Sequence, residues 1–144
     1  MTMSEANGTT LDPIPAFRVY TGPDGETHVE QFAFRLGVGG PTLSALVPAE
    51  GVIFRRTKAD LDADFHPAPR RQLIVTTQGE GEIVTSDGTT LPLGPGTIVL
   101  VEDTAATGGG GPVTRGHITR GKGTADRLSL FIPVPDEWTP PSAS

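Results

Sequence analysis

Short apolar runs, each closed by glycine, proline or aspartate, recur along most of the chain, and several alternate with polar residues at every second position. That is the period of a strand with one face buried. Residues 16–20 (AFRVY) alternate in this way, TGPDGE forms a hairpin turn, and THVEQFAFRL returns as a longer strand. GVGGPT breaks the chain, and LSALV and GVIFRRT follow as two strands separated by PAEG. The next segment, KADLDADFHPAP, reads as a loop, because Pro67 and Pro69 constrain their neighbours. Four close-set strands come after it: RQLIVTTQ, EGEIVTS, TTLPL and TIVLVE. Their separators GEG, DG and GPG supply the positive φ angles of tight hairpins. After a long glycine-rich connection, HITR and DRLSLFIPV complete the pattern. No segment has the 3.6-residue period of a helix, and about ten short strands at this spacing predict a sandwich or barrel.

Composition sharpens this picture. The chain of 144 residues is long enough for one domain with a real core and too short for two. Hydrophobic residues make up 35% and charged residues 19%, and 19 glycines and 14 prolines fill the difference. Because these fall between the apolar runs, they read as turns of a folded β domain and not as disorder. Residues 1–15 read as a flexible lead, 16–134 as the domain, and 135–144 as a proline-rich tail that Trp138 either pins or leaves hanging.

A formal charge of −6 repels phosphate backbones, and the basic groups Arg55-Arg56-Lys58 and Arg70-Arg71 are too small to reverse that, so nucleic acid is not an expected partner. With no cysteine, disulfides, thiolate nucleophiles and thiolate metal sites are excluded. No membrane-spanning run or secretory leader is visible, and a cytoplasmic protein is expected. No G-x-S-x-G elbow is present, and the Gly108–Gly111 run lacks the Lys-Ser/Thr of a phosphate loop, so it reads as a connection or lid.

Residues 65–120 resemble the small single-domain cupins. Six residues separate Gly79 from Gln72, where the family has Glu; three more separate Gln72 from Ala68 at the second His position, and His66 stands at the first. Asp60 stands at the leading Gly. A second motif begins at Gly96 in GPGTIVLV, and the family's last histidine corresponds to His117 if the glycine-rich connection is an insertion. The resemblance implies an all-β, cupin-type jelly-roll barrel, a homodimer, and a small organic molecule in the barrel as ligand or substrate.

It also implies a metal site at His66, Gln72 and His117, taking a divalent ion such as zinc, iron, manganese or nickel, with no organic cofactor. Two imidazoles and an amide form an uncharged ligand set, weaker than the family's own. The alternative is a metal-free cavity in which the same side chains hydrogen-bond an organic ligand. Glu102 or Asp103 can add a carboxylate, or serve as turn formers. Arg70 shares the parity of Gln72 and, pointing inward, would clamp a carboxylate or phenolate; pointing outward, beside Pro69, it is an ordinary surface charge. Either Arg55 or Arg56 can reach the cavity, and His28 reads as a surface strand residue or as an additional acid–base group. Family members include dioxygenases, lyases, isomerases and cyclases. The uncharged ligand set suits isomerase-, cyclase- or lyase-like proton transfer, with His66, His117 and Arg70 as catalytic candidates, better than oxygen activation. Binding of a sugar or metabolite without turnover is the rival class.

Overall fold

The computed structural model describes residues 11–105 and 113–141, and these form ten strands and no helix. In chain order the strands are β1 (Ile14–Thr21), β2 (Thr27–Phe34), β3 (Ile53–Thr57), β4 (Asp62–His66) and β5 (Gln72–Gln78), followed by β6 (Glu80–Thr85), β7 (Thr90–Leu93), β8 (Ile98–Val101), β9 (His117–Lys122) and β10 (Arg127–Pro133). They build two packed sheets. One has six strands in the order β2-β1-β8-β5-β10-β3, and the other has four in the order β4-β9-β6-β7. All neighbours are antiparallel except β1 and β8. The protein is thus an all-β two-sheet sandwich, as the alternation and turn spacing predict. Among the described residues no helix is long and apolar enough to cross a membrane.

Hydrophobic side chains form two layers. Between the sheets lie Val19, Ala68, Ile83, Leu93, Val99 and Val101. On the outer face of the larger sheet, Ala16, Phe32, Leu73, Leu100 and Val134 form a second cluster, covered by Val47 and Trp138. This double burial explains the uninterrupted apolar run of β8: Val99 and Val101 face the other sheet while Leu100 faces the outer layer. Trp138 stacks on Phe34 with ring centroids 6.5 Å apart, so the tail is pinned. Arg71 holds it there by donating to the carbonyls of Pro135 and Trp138, each at 2.8 Å, and to Glu102 through Nε and Nη2.

Two elements differ from the sequence reading. Residues 62–66 form strand β4, although residues 58–69 read as a loop; the prolines at 67 and 69 end this edge strand instead of preventing it, since an edge needs only one ladder of hydrogen bonds. Residues 43–47 form no strand. Apart from an isolated bridge between Gly40 and Leu43 they are irregular, and Val47 serves as a cover on the outer layer. The Gly108–Gly111 connection lies outside the described residues.

His28, on β2, points away from the space between the sheets. Its Nδ1 lies 3.0 Å from Asp87 Oδ2 and its Nε2 3.4 Å from Asp24 Oδ1. Desolvation pulls the imidazole down, but the hydrogen bonds to Asp24 and Asp87 and the charges of those two residues together outweigh it and raise it above its ordinary value. A raised folded value means that the contribution to stability is full below the unfolded value of about 6.5 and is lost as pH rises through the folded value. Thermal denaturation should therefore find His28→Gln less stable than wild type near pH 5.5, with the gap closing by about pH 8.5. A pH-independent gap would contradict this assignment.

Candidate functional site

A cavity of about 150 Å³ opens between the two sheets. Its walls are largely aliphatic and aromatic, including Leu61, Ile74, Ile83, Leu93, Val101 and Phe131. Into this lining project His66, Gln72, His117, Thr119, Arg55 and Arg127. Strand pairing accounts for the meeting of the histidines: His66 and His117 are direct cross-strand partners on β4 and β9, and their ring centroids stand 4.8 Å apart. The two imidazoles expected from the sequence to share one β container do share it.

A backbone contact fixes this pairing. Gly116 has φ +74°, and a Cβ there would lie 2.3 Å from the carbonyl oxygen of His66. Only glycine permits both the left-handed backbone and so close an approach between the two chains. Thr27 Oγ1 donates to the Gly116 carbonyl at 2.6 Å, anchoring the same turn to β2.

The histidines are oriented differently. His66 Nδ1 lies 2.9 Å from the Asp64 carbonyl oxygen, and His117 Nδ1 lies 2.6 Å from Asp103 Oδ2. A carbonyl and an ionised carboxylate only accept, so each Nδ1 carries the proton and, in the neutral ring, Nε2 holds the free lone pair. Asp103 is fully buried and its Oδ1 has no partner among the described residues, so His117 is its main compensating contact. The backbone holds Asp103 in place: its carbonyl accepts from Ala68 N at 2.9 Å, and the adjacent Thr104 bridges Ala68. Strand alternation at the end of β8 divides the pair Glu102-Asp103. Glu102 turns outward to Arg18 and Arg71, and Asp103 turns inward to His117.

The remaining sequence candidates divide as follows. Gln72 is buried and lines the cavity, and its Oε1 accepts from Arg70 Nη1 at 3.1 Å. Arg70 itself is exposed and lies in an outer groove with Arg71 and Glu137, so it orients Gln72 from outside and does not line the cavity. β5 begins only at Gln72, so Arg70, directly after Pro69, lies outside the strand and the parity argument that would have turned it inward does not apply. Of the two arginines on β3, Arg55 lines the cavity and Arg56 pairs outward with Asp126 at 3.7 Å. His28 lies elsewhere, as described above.

Arg127 is the cavity residue that sequence reasoning overlooked. Its signal was the alternation in DRLSLFIPV, where Arg127, Ser129 and Phe131 share one face. That face reads as solvent-exposed by polarity, yet Arg127 and Ser129 are buried. Burial, and next the charge of Arg55, push the Arg127 guanidinium below its usual value.

The donor set does not fit a tightly held divalent ion. Among the described residues no group of three or more His, Cys, Asp and Glu side chains is placed to hold a metal. The expected set reduces to two imidazole nitrogens and an amide oxygen already engaged by Arg70, with no carboxylate among the described residues lining the cavity and two guanidiniums in the same wall. Catalytic metal sites ordinarily supply three protein ligands, and an uncompensated cation beside arginines is disfavoured. What the arrangement can do is move a proton: a neutral imidazole with its tautomer fixed by a buried carboxylate presents a base to a largely apolar pocket. No protein-family model matches the chain, and comparison with curated proteins gives no match.

Proposed function

We propose that the protein is a small-molecule enzyme of the cupin type that performs proton-transfer chemistry, such as isomerisation, cyclisation or elimination, on an organic substrate held between the sheets. The single observation that carries this reading is His117 in the cavity wall, backed by the buried carboxylate of Asp103 behind it. In this reading His117 Nε2 takes a proton from carbon, Asp103 stabilises the imidazolium so formed, and the same nitrogen returns the proton to a second atom. His66 Nε2 accepts a hydrogen bond from the substrate and fixes its orientation, and the Gln72 amide lines the same wall. The cavity volume of about 150 Å³ is below the roughly 300–1,000 Å³ of drug-sized sites, which favours a compact substrate. No step passes through a metal, because the donor set does not suit one.

The test is solvent-exchange NMR in D₂O on a panel of small C–H acids, both charged and neutral: butanone, acetoacetate, but-3-enoate and but-3-enamide. Wild-type protein should incorporate deuterium into, or rearrange, at least one of them. The His117→Ala variant, folded by circular dichroism, should lose about 10²–10⁴ of that rate. Metal analysis of untagged protein run alongside should find well under one equivalent. Equal rates in wild type and variant, or binding of the panel without any exchange, would replace this reading with the rival of a metabolite-binding module.

A further inference from the structure

We propose that Arg127, assisted by Arg55, forms an anion subsite at one end of the cavity, and that the substrate is a small organic carboxylate. The inference deepens the proton-transfer reading and rests on it for the word substrate, though the subsite itself stands on separate observations. Arg127 is about nine-tenths buried, with 6% of its surface exposed, and its Nε has no partner among the described residues. Its contact with protein oxygen is a long bond from Nη1 to the Arg120 carbonyl at 3.4 Å. A guanidinium is always charged and presents five donors, so burial with one weak acceptor leaves most of its hydrogen-bonding capacity unmet.

The neighbouring acids are engaged elsewhere. Asp126 bonds Ala59 N and Arg56, Glu82 pairs with Arg120 and Lys122, and Asp62 pairs with Arg120. No acidic residue lines the cavity among the described residues, whereas a second guanidinium, Arg55, does. The ladder between β3 and β10 pairs Thr57 with Arg127 and Arg55 with Ser129. The two arginines are therefore diagonal neighbours on one face, with about 7–8 Å between their backbones. The Arg55 guanidinium leans over the Phe131 ring, 5.6 Å from its centroid, and its charge still repels that of Arg127; an anion held near both replaces the repulsion with attraction.

The opposite sheet is shaped to receive Arg127. A Cβ on Gly81 would lie 1.8 Å from Arg127 Nη1 and 3.0 Å from its Cζ, so the guanidinium rests on bare backbone. Gly81 pairs with Gly121 in the β6–β9 ladder, and this glycine notch lies four β9 residues from His117. Four residues span about 13 Å of strand, so the cationic end and the histidine end are distinct. Both side chains line the one cavity of about 150 Å³, so the ligand sets its carboxylate toward Arg127 and its reactive carbon toward His117. The aliphatic walls between the two ends suit a hydrocarbon body and not an inorganic oxyanion.

The experiment compares but-3-enoate with its neutral isostere but-3-enamide by calorimetry and by the Arg127 Nε–H resonance in ¹⁵N-edited NMR. The acid should bind about tenfold or more tightly than the amide and shift the Arg127 signal. Arg127→Gln should remove that preference, and Arg127→Lys should restore it in part. Because a change at a buried arginine can unfold the protein, Arg55→Gln, at an exposed position, supplies a second variant and should weaken the acid but not the amide. The subsite is refuted if acid and amide bind alike, if neither binds, or if the acid leaves the Arg127 resonance unmoved. The two readings separate cleanly. Selective binding of the acid with no deuterium exchange upholds the subsite and sinks the catalytic reading, and exchange that ignores the carboxylate does the reverse.

Discussion

Asp103→Asn is expected to lower kcat by about 10²–10⁴ while leaving the protein folded. The amide has nearly the shape of the carboxylate and fits the same fully buried position. It differs in what it offers His117 at 2.6 Å. A carboxylate can only accept, and it holds the proton on Nδ1; an amide can present its NH₂ instead, which favours the tautomer with the proton on Nε2. On the proposed function, the lone pair that would face the substrate is then gone, and so is the charge that would stabilise the imidazolium. Long-range ¹⁵N–¹H spectra of the neutral imidazole report the tautomer directly. An unchanged tautomer together with unchanged exchange rates would remove Asp103 from the mechanism.

Gly116→Ala is expected to destabilise the fold by about 2–5 kcal/mol, because two costs combine. One is the positive φ of +74°, and the other is a Cβ placed 2.3 Å from the His66 carbonyl oxygen and 2.4 Å from its carbon. Those atoms are backbone, so no side-chain rotation relieves the contact; β4 has to move away from β9. Gly123→Ala separates the two contributions, since Gly123 has φ +75° but nothing within 4 Å of its Cβ position. It should cost only the strain, about 1 kcal/mol. Urea denaturation measures both. Equal losses at the two positions would show that the close approach of the histidine strands is not held by Gly116. In the folded fraction of Gly116→Ala, separation of His66 from His117 should also appear as loss of proton-transfer activity.

Much of the architecture was legible because it depends on local rules. The alternation in residues 16–20, the turns at 79, 87–88 and 94–96, and the lack of any helical period identify an all-β chain whatever its partners. Two assignments failed where a local rule was ambiguous. Proline at 67 and 69 signals the end of a strand as readily as a loop, and in LSALV only Val47 covers the sheet while Leu43 and Leu46 stay exposed, so its apolar run joins no ladder. Neither distinction can be drawn without the neighbour that supplies, or withholds, the ladder of hydrogen bonds.

The site was legible only in part. His66, Gln72 and His117 were implied by the resemblance to the cupin motifs, and all three line the cavity. Arg70 takes the outward of its two readings because the strand begins two residues after it, so strand parity does not extend to it. Asp103 was considered beside Glu102, and only the end of β8 decides which of the two turns inward. Arg127 escaped notice because polarity argues for the surface. In β10 that rule is reversed: the sheet has cover on both sides, so the apolar parity packs outward and the polar parity faces the cavity.

By itself, then, the sequence determined the β class, the turns, the missing thiol chemistry and the supply of histidines. Tertiary structure decided which side chains share one enclosed space and which charges are left without a partner. The reason is the length scale involved. Turn and strand preferences act over a few bonds of one chain, whereas the meeting of His117 with Asp103, or of Arg127 with Gly81, is set by how strands distant in sequence lie side by side and how the two sheets close over them.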